Sequence, residues 1–326
     1  MPSQVMHFDR RFLLRGLRGI HRRLGGPAVS ERPDCDFNPD SAASAIYDLL
    51  TSGQPAMIGR FGSNELNCIA NYLATKSADR PWFNYVRSRA YPWWWDANIV
   101  EPLVQGAGFF PSEISAIERF SEMMLQDIPQ LDLLGSWLPQ EKILDTELRL
   151  CQRVDLELLN PFFSQVPWTR ALAGRKVLVI HPFARTIEAQ YLKRNLLFKN
   201  DLVPAFELRT IKAVQSIAGE KTEFADWFAA LDSMKVAMDA VDYDICLIGC
   251  GAYGFPLAAH AKRRGKVGFH IGGALQLLFG IRGKRWEDRN YHPDYNFAAL
   301  MNEHWIKPGK EERPKAADKV EGACYW

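Results

Sequence analysis

Three clusters of residues have types and spacings suited to chemistry on an anionic ligand. The first is Arg60-Phe-Gly62-Ser63-Asn64-Glu65. A guanidinium offers two parallel donors to a phosphate. A carboxylate five residues on can serve as a general base, a divalent-cation ligand or an acceptor for a sugar hydroxyl. Glu65 also suits a plain structural role, facing the positive end of a helix dipole and pairing with Arg60. The second cluster is His181, followed by Arg185 and Thr186 at a helix start, where anions are favoured. Alone, His181 would equally suit a hydrogen-bonded core position. Lys212 and Gln215 add donors further on. The third cluster is glycine-rich. Gly249, Gly251 and Gly254, with Tyr253 among them, follow the dinucleotide fingerprint G-x-G-x-x-G, and Gly272-Gly273 follow after the next apolar run. That run ends in His270-Ile-Gly-Gly and not in an acidic ribose ligand, which argues against a standard NAD site. Lys284 and Arg285, beside Arg282 and Trp286, are placed to hold a diphosphate, or else form a solvated basic loop.

Each cluster follows a short apolar run. Residues 56–61 (AMIGRF) read as a strand and 65–74 as a helix, with Ser63 or Asn64 as its cap. Residues 176–183 (KVLVIHPF) are the clearest strand, apolar enough to be covered on both faces. A helix is expected over 185–198, with Ile187, Tyr191, Leu192 and Leu196 on one side. Strands are also expected at 131–137, 154–159, 244–249 and 266–271, a strand end with a loop at 206–216, and helices at 41–50, 112–125, 224–241, 256–264 and 274–279. The β-α-β-α succession from 176 to 279 predicts an α/β fold: a Rossmann-like parallel or mostly parallel sheet with helices on both faces. Residues 41–326 read as one domain with an aromatic insertion at about 80–150. Trp82, Trp93, Trp94 and Trp95 stand there among Arg80, Arg87 and Arg89. Most of these rings are expected to pack on the core, and aromatic faces also suit sugar rings and lipid interfaces.

Residues 1–40 form a basic amphipathic segment and a Pro/Gly/Asp-rich linker. In residues 1–26, six arginines interleave with apolar residues, a pattern suited to an anionic membrane surface or to a helix packed on the domain. The chain of 326 residues is 47% hydrophobic and 24% charged, which predicts a packed core. Its net charge of +2 gives no reason to expect nucleic acid as a partner. The six cysteines include no C-x-x-C pair and read as reduced thiols of a cytoplasmic protein. No apolar run reaches the about 18–20 residues of a membrane span.

Several segments together resemble the GT-D glycosyltransferases, a bacterial family first known as a domain of unknown function. They are IGRFGSNEL (58–66), VLVIHPFARTIEAQY (177–191), IKAVQSIAG (211–219), LIGCGAYGFPLAAHAKRRGK (247–266), HIGGALQLLFGIRGKRW (270–286) and VEGACYW (320–326). The resemblance implies a hexosyltransferase-type enzyme moving a sugar from a nucleotide-diphosphate sugar to a hydroxyl of a glycan or lipid-linked acceptor. It further implies work in cell-surface polysaccharide or glycoprotein assembly, in the cytoplasm or peripherally on the inner membrane face. Arg60, Gly62, Ser63, Asn64, His181, Arg185, Thr186, Gly249, Gly251, Tyr253, Gly254, Gly272, Gly273, Lys284 and Arg285 would bind the donor, with Glu65 catalytic. Family members carry Asp-x-Glu where this chain has Ser63-Asn64-Glu65, so Glu65 alone remains to hold Mn2+ or Mg2+, and a lone carboxylate is a poor site for a hard cation. Two other readings fit the same glycine turns: a different nucleotide- or S-adenosylmethionine-dependent transferase, and a non-catalytic nucleotide-sugar-binding scaffold.

Overall fold

The computed structural model describes residues 10–25, 33–315, 317 and 322–326. The start of the basic segment (1–9), part of it and of the linker (26–32) and Val320 and Glu321 of the closing motif lie outside the described residues.

The chain opens with helix α1 (Arg10–Arg23) and α2 (Pro39–Thr51). Asn38 caps α2, its side chain accepting from the Asp40 and Ser41 amides. Strand β1 (Ala56–Gly59) leads into α3 (Ser63–Lys76). The cap of α3 is Gly62, which offers no side chain, and Ser63 and Asn64 lie in the first turn instead of capping it. The insertion contributes α4 (Trp82–Val86), α5 (Ala97–Gln105) and α6 (Ile114–Asp127). Strands β2 (Leu133–Ser136) and β3 (Gln152–Asp155) follow, then β4 (Lys176–His181), α7 (Ala184–Tyr191) and α8 (Arg194–Leu197). The rest comprises β5 (Glu207–Lys212), α9 (Trp227–Asp239), β6 (Ile245–Ile248), α10 (Gly254–Arg263), β7 (Val267–His270), α11 (Leu275–Leu278) and α12 (Lys284–Glu287).

All seven strands join one parallel sheet in the order β3-β2-β1-β7-β6-β4-β5. Short, wholly apolar strands such as ICLI in β6 are what a sheet buried on both faces requires. Alternate residues feed two cores. Met57, Leu134, Ile180 and Ile248 face α3, α6, α9 and α10. Ile58, Leu133, Val179, Leu247 and Phe269 face α2, α7 and α11. After β4 the chain turns to α7 on one face and to β5 at the near edge; after β6 it turns to α10 on the other face and to β7 in the opposite direction. Such a divergence opens a crevice at the carboxyl ends of the two strands.

Two elements differ from expectation. The strand expected at 154–159 ends at Asp155, because the Asp155 carboxylate accepts from the Glu157 amide and turns the chain into a 3-10 helix, Leu156–Leu159. The helix expected over 185–198 is broken. Lys193 bonds back to Gln190 and Leu196 to Lys193, three residues each instead of four, and Leu192 and Leu196 are exposed. The insertion buries Tyr85 and Trp94, with Trp93 edge-on to both, and leaves Trp82 exposed. The C-terminal rings are docked, Trp326 against Phe183 and Tyr325 against Trp286. Among the described residues no helix is long and apolar enough to cross a membrane.

Candidate functional site

The carboxyl ends of β1, β7, β6 and β4 carry Arg60, the Gly272-Gly273 turn, Gly249 and His181. Their packing shows that the three clusters meet. A β-carbon on Gly249 would stand 2.7 Å from the Gly272 carbonyl oxygen and 2.7 Å from Cδ2 of His181. Only a bare Cα allows those three strand ends to approach so closely. Gly272 has φ +83 and lies along the Arg60 side chain, whose Cδ would be 3.5 Å from a β-carbon there. Just past β1, Arg60 is half-buried, while the next residue, Phe61, goes into the core and stacks on Phe255 at 5.0 Å. The Arg60 guanidinium lies over the Trp137 ring, 5.1 Å from its centroid. The Trp137 indole is held by donating to the Phe61 carbonyl at 3.0 Å.

His181 and His270 are buried at these strand ends, and burial holds each imidazole down to about 3; for His270 the Arg60 charge adds to the effect. Both rings are therefore neutral. His181 Nδ1 accepts from the Phe183 amide at 3.0 Å, which places its proton on Nε2 and makes that nitrogen a donor. His270 lies against the first turn of α10, where any side chain at Gly254 would collide with the ring.

The remaining sequence-selected residues divide. Arg285 joins the site. Its guanidinium contacts the Cys324 sulfur at 3.1 Å and lies 5.0 Å from the Tyr325 ring centroid, and that ring packs directly on Gly273. Glu65 is buried, and its carboxylate folds back over Gly62, the position of the returning half of a capping box. Asn64 leans toward Gly106. At the start of α7 the donors of Arg185 and Thr186 already have an anion. Glu312, itself buried, accepts from the Arg185 amide at 2.9 Å and from the Thr186 amide and hydroxyl. The Arg185 side chain pairs with Glu311 and points into solvent. Lys284 is exposed and reaches the Gly322 carbonyl of the tail. Tyr253 is a core residue, stacked on Trp227 at 4.8 Å with its hydroxyl on Ser216. Gly251, at φ +57, shapes the turn, with open space where a β-carbon would stand. Lys212 and Gln215 line a separate groove of about 510 Å³ beyond β5, where Lys221, Arg313 and Lys315 alternate with Glu220, Glu223 and Glu311.

The structure adds residues that sequence reasoning missed. Trp137 and Glu157, with Asp155 and His292, line a cavity of about 180 Å³ at the ends of β2 and β3. The Glu157 carboxylate accepts from the Tyr291 hydroxyl at 3.3 Å and from the Asn160 amide at 3.2 Å. Burial and the Asp155 charge push it up to about 7, against the pull of Arg60 and Arg285. Trp137 borders both this cavity and the Arg60 guanidinium that lies over its ring. The available signal was Asp155-Leu-Glu157 at a strand end, hidden by extending the strand to 159. Cys35 also lines the cavity, but burial and neighbouring carboxylates raise its thiol to about 11, so it is no nucleophile at neutral pH.

The donor set does not fit a protein-held divalent cation. Ser63 and Asn64 flank a single carboxylate at Glu65, and among the described residues no three His, Cys, Asp or Glu side chains group as metal ligands. No protein-family model matches the chain, and neither a curated protein nor a solved structure is significantly similar to it.

Proposed function

We propose that this chain is a glycosyltransferase that takes a sugar from a nucleotide-diphosphate donor and passes it to a hydroxyl acceptor. The observation that carries the reading is the meeting of Arg60, Gly249, Gly272-Gly273 and His181 at the carboxyl edge of a parallel sheet, where its connections diverge. Parallel sheets bind phosphorylated ligands at such edges. The Arg60 and Arg285 guanidinium groups would neutralise the leaving diphosphate electrostatically, without relying on a protein-held cation. His181 Nε2 and the glycine amides would add neutral donors. Glu65 is the candidate catalytic carboxylate from the resemblance. Glu157, ionising near neutrality beside the 180 Å³ cavity, has the range expected of a proton acceptor for the acceptor hydroxyl. Action at the cytoplasmic membrane face on a lipid-linked glycan belongs to the same reading.

The test begins with binding. UDP, GDP or dTDP should raise the unfolding temperature, and Arg60→Ala should weaken that ligand by about tenfold or more, as expected for a lost charged hydrogen bond. Donor-dependent nucleotide release with acceptor present should then be lost in Glu65→Ala while nucleotide binding persists. Stabilisation by S-adenosylmethionine and by no nucleotide diphosphate would overturn the reading. Glu65 folded back onto its own helix cap also favours a second reading, a nucleotide-sugar-binding scaffold. Tight donor binding with no release over a broad acceptor panel would select it.

A further inference from the structure

Helix α1 is attached to the molecule by its polar side. Leu14, Arg18 and His21 are its half-buried residues. Arg15 pairs with Asp96 at 3.3 Å, and the Arg18 guanidinium lies 4.6 Å from the Tyr85 ring centroid. Arg18 and Arg22 both donate to the Ser88 hydroxyl at 3.2 Å. The apolar side is turned outward. Phe12 is 77% exposed, Leu13 51%, Leu17 42%, Ile20 56% and Leu24 82%. These positions recur at the spacing of one helix face. Between them a β-carbon on Gly16 or Gly19 would meet nothing within 4 Å. On α4, against which α1 packs, Trp82 is 57% and Phe83 49% exposed. Among the described residues nothing covers this surface.

We propose that the outward face of α1, with Trp82 and Phe83 beside it, docks on an anionic lipid bilayer. A water-soluble helix normally buries its apolar stripe and presents its charges. Here the arrangement is reversed, so the apolar stripe is offered to something outside the chain. The helix carries no acidic residue, and Arg23 is exposed with the apolar residues. A cationic, acid-free helix suits the negative surface potential of anionic phospholipid. Exposed Trp beside it suits the headgroup boundary. A second copy of the chain is the poorer occupant, since symmetric pairing through this face would bring two arginine-rich helices together. The Tyr91 hydroxyl donates to Asn67 at 2.5 Å, tying the insertion to the helix that carries Glu65. The inference rests on surface chemistry and does not depend on the proposed transfer reaction.

Flotation of the full chain with phosphatidylcholine vesicles, with and without phosphatidylglycerol, tests it. Binding is expected only to the anionic vesicles and should weaken as salt rises. The double substitution Phe12→Asp/Leu17→Asp should lower partitioning by about tenfold or more. It should leave the unfolding temperature unchanged, because both side chains face outward. Trp82→Ala/Phe83→Ala gives an independent reduction without touching α1. Failure of the wild-type chain to bind anionic vesicles would overturn the proposal, as would equal binding by the Asp variant. So would concentration-dependent dimerisation that the Asp substitutions abolish, in the absence of vesicle binding. None of these results bears on nucleotide binding.

Discussion

Glu157 shows how far position can change a side chain's chemistry. Its usual carboxyl range lies near 4.5, and in the fold it rises to about 7. Between those two values the folded chain holds a proton that the unfolded chain has released. The group therefore contributes stability that is fully present below pH 4.5 and lost as pH rises through 7. Glu157→Gln removes the dependence and keeps the hydrogen-bonding shape. Relative to wild type, the variant should gain up to about 3 kcal/mol on passing from pH 4 to pH 8. Urea unfolding at the two pH values measures this, and an unchanged difference would mean that the carboxyl is ionised in the fold. His181 has the opposite sign. An imidazole held to about 3 favours folding above its unfolded range near 6.5, and that stability is lost as pH falls. His181→Gln should accordingly lose less stability than wild type between pH 7 and pH 5, by about 2 kcal/mol. The place of Arg60 just past a strand end was legible from sequence, whereas its stacking on Trp137 was not. Trp137 is distant in sequence and reaches the site only because β2 pairs beside β1.

The glycine turns that end β6 and β7 act as spacers. Gly249→Ala would drive a methyl group into the Gly272 carbonyl and the His181 ring. It should destabilise the chain by about 1–3 kcal/mol, the usual cost of overpacking. It should also abolish nucleotide-dependent stabilisation, which thermal unfolding with and without UDP would reveal. An alanine that left both unchanged would show that the three strand ends do not need to touch. The start of α7 illustrates the reverse case. Its donors looked available for a ligand because the partner, Glu312, lies more than a hundred residues away in the tail. Helix-start donors are visible in a local pattern, but who satisfies them is not. The break after Tyr191 was hidden for a similar reason. The apolar spacing continued through Leu192 and Leu196, while tertiary bonds from the Tyr191 hydroxyl to both the Phe206 amide and carbonyl anchor the helix end.

Over the whole molecule, the parallel sheet and its two helical layers followed from local evidence. Short, fully apolar strands alternating with amphipathic helices permit few other folds, because both sheet faces must be covered. Which strand ends carry glycines, and that Arg60 and His181 stand at such ends, were likewise properties of the sequence alone. The strand order was decided only in three dimensions. It places β7 between β1 and β6, and so brings a first-third arginine onto a last-third glycine turn. Glu157 became a near-neutral acid only when the fold buried it beside Asp155, an effect that outweighs the hydrogen bond from Tyr291 in the tail. The basic helix was recognisable as amphipathic from its residues, yet which side met the protein depended on Asp96, Tyr85 and Ser88. Periodicity records which residues share a face. Long-range packing determines what that face meets, and with it the burial and charge that set each group's chemistry.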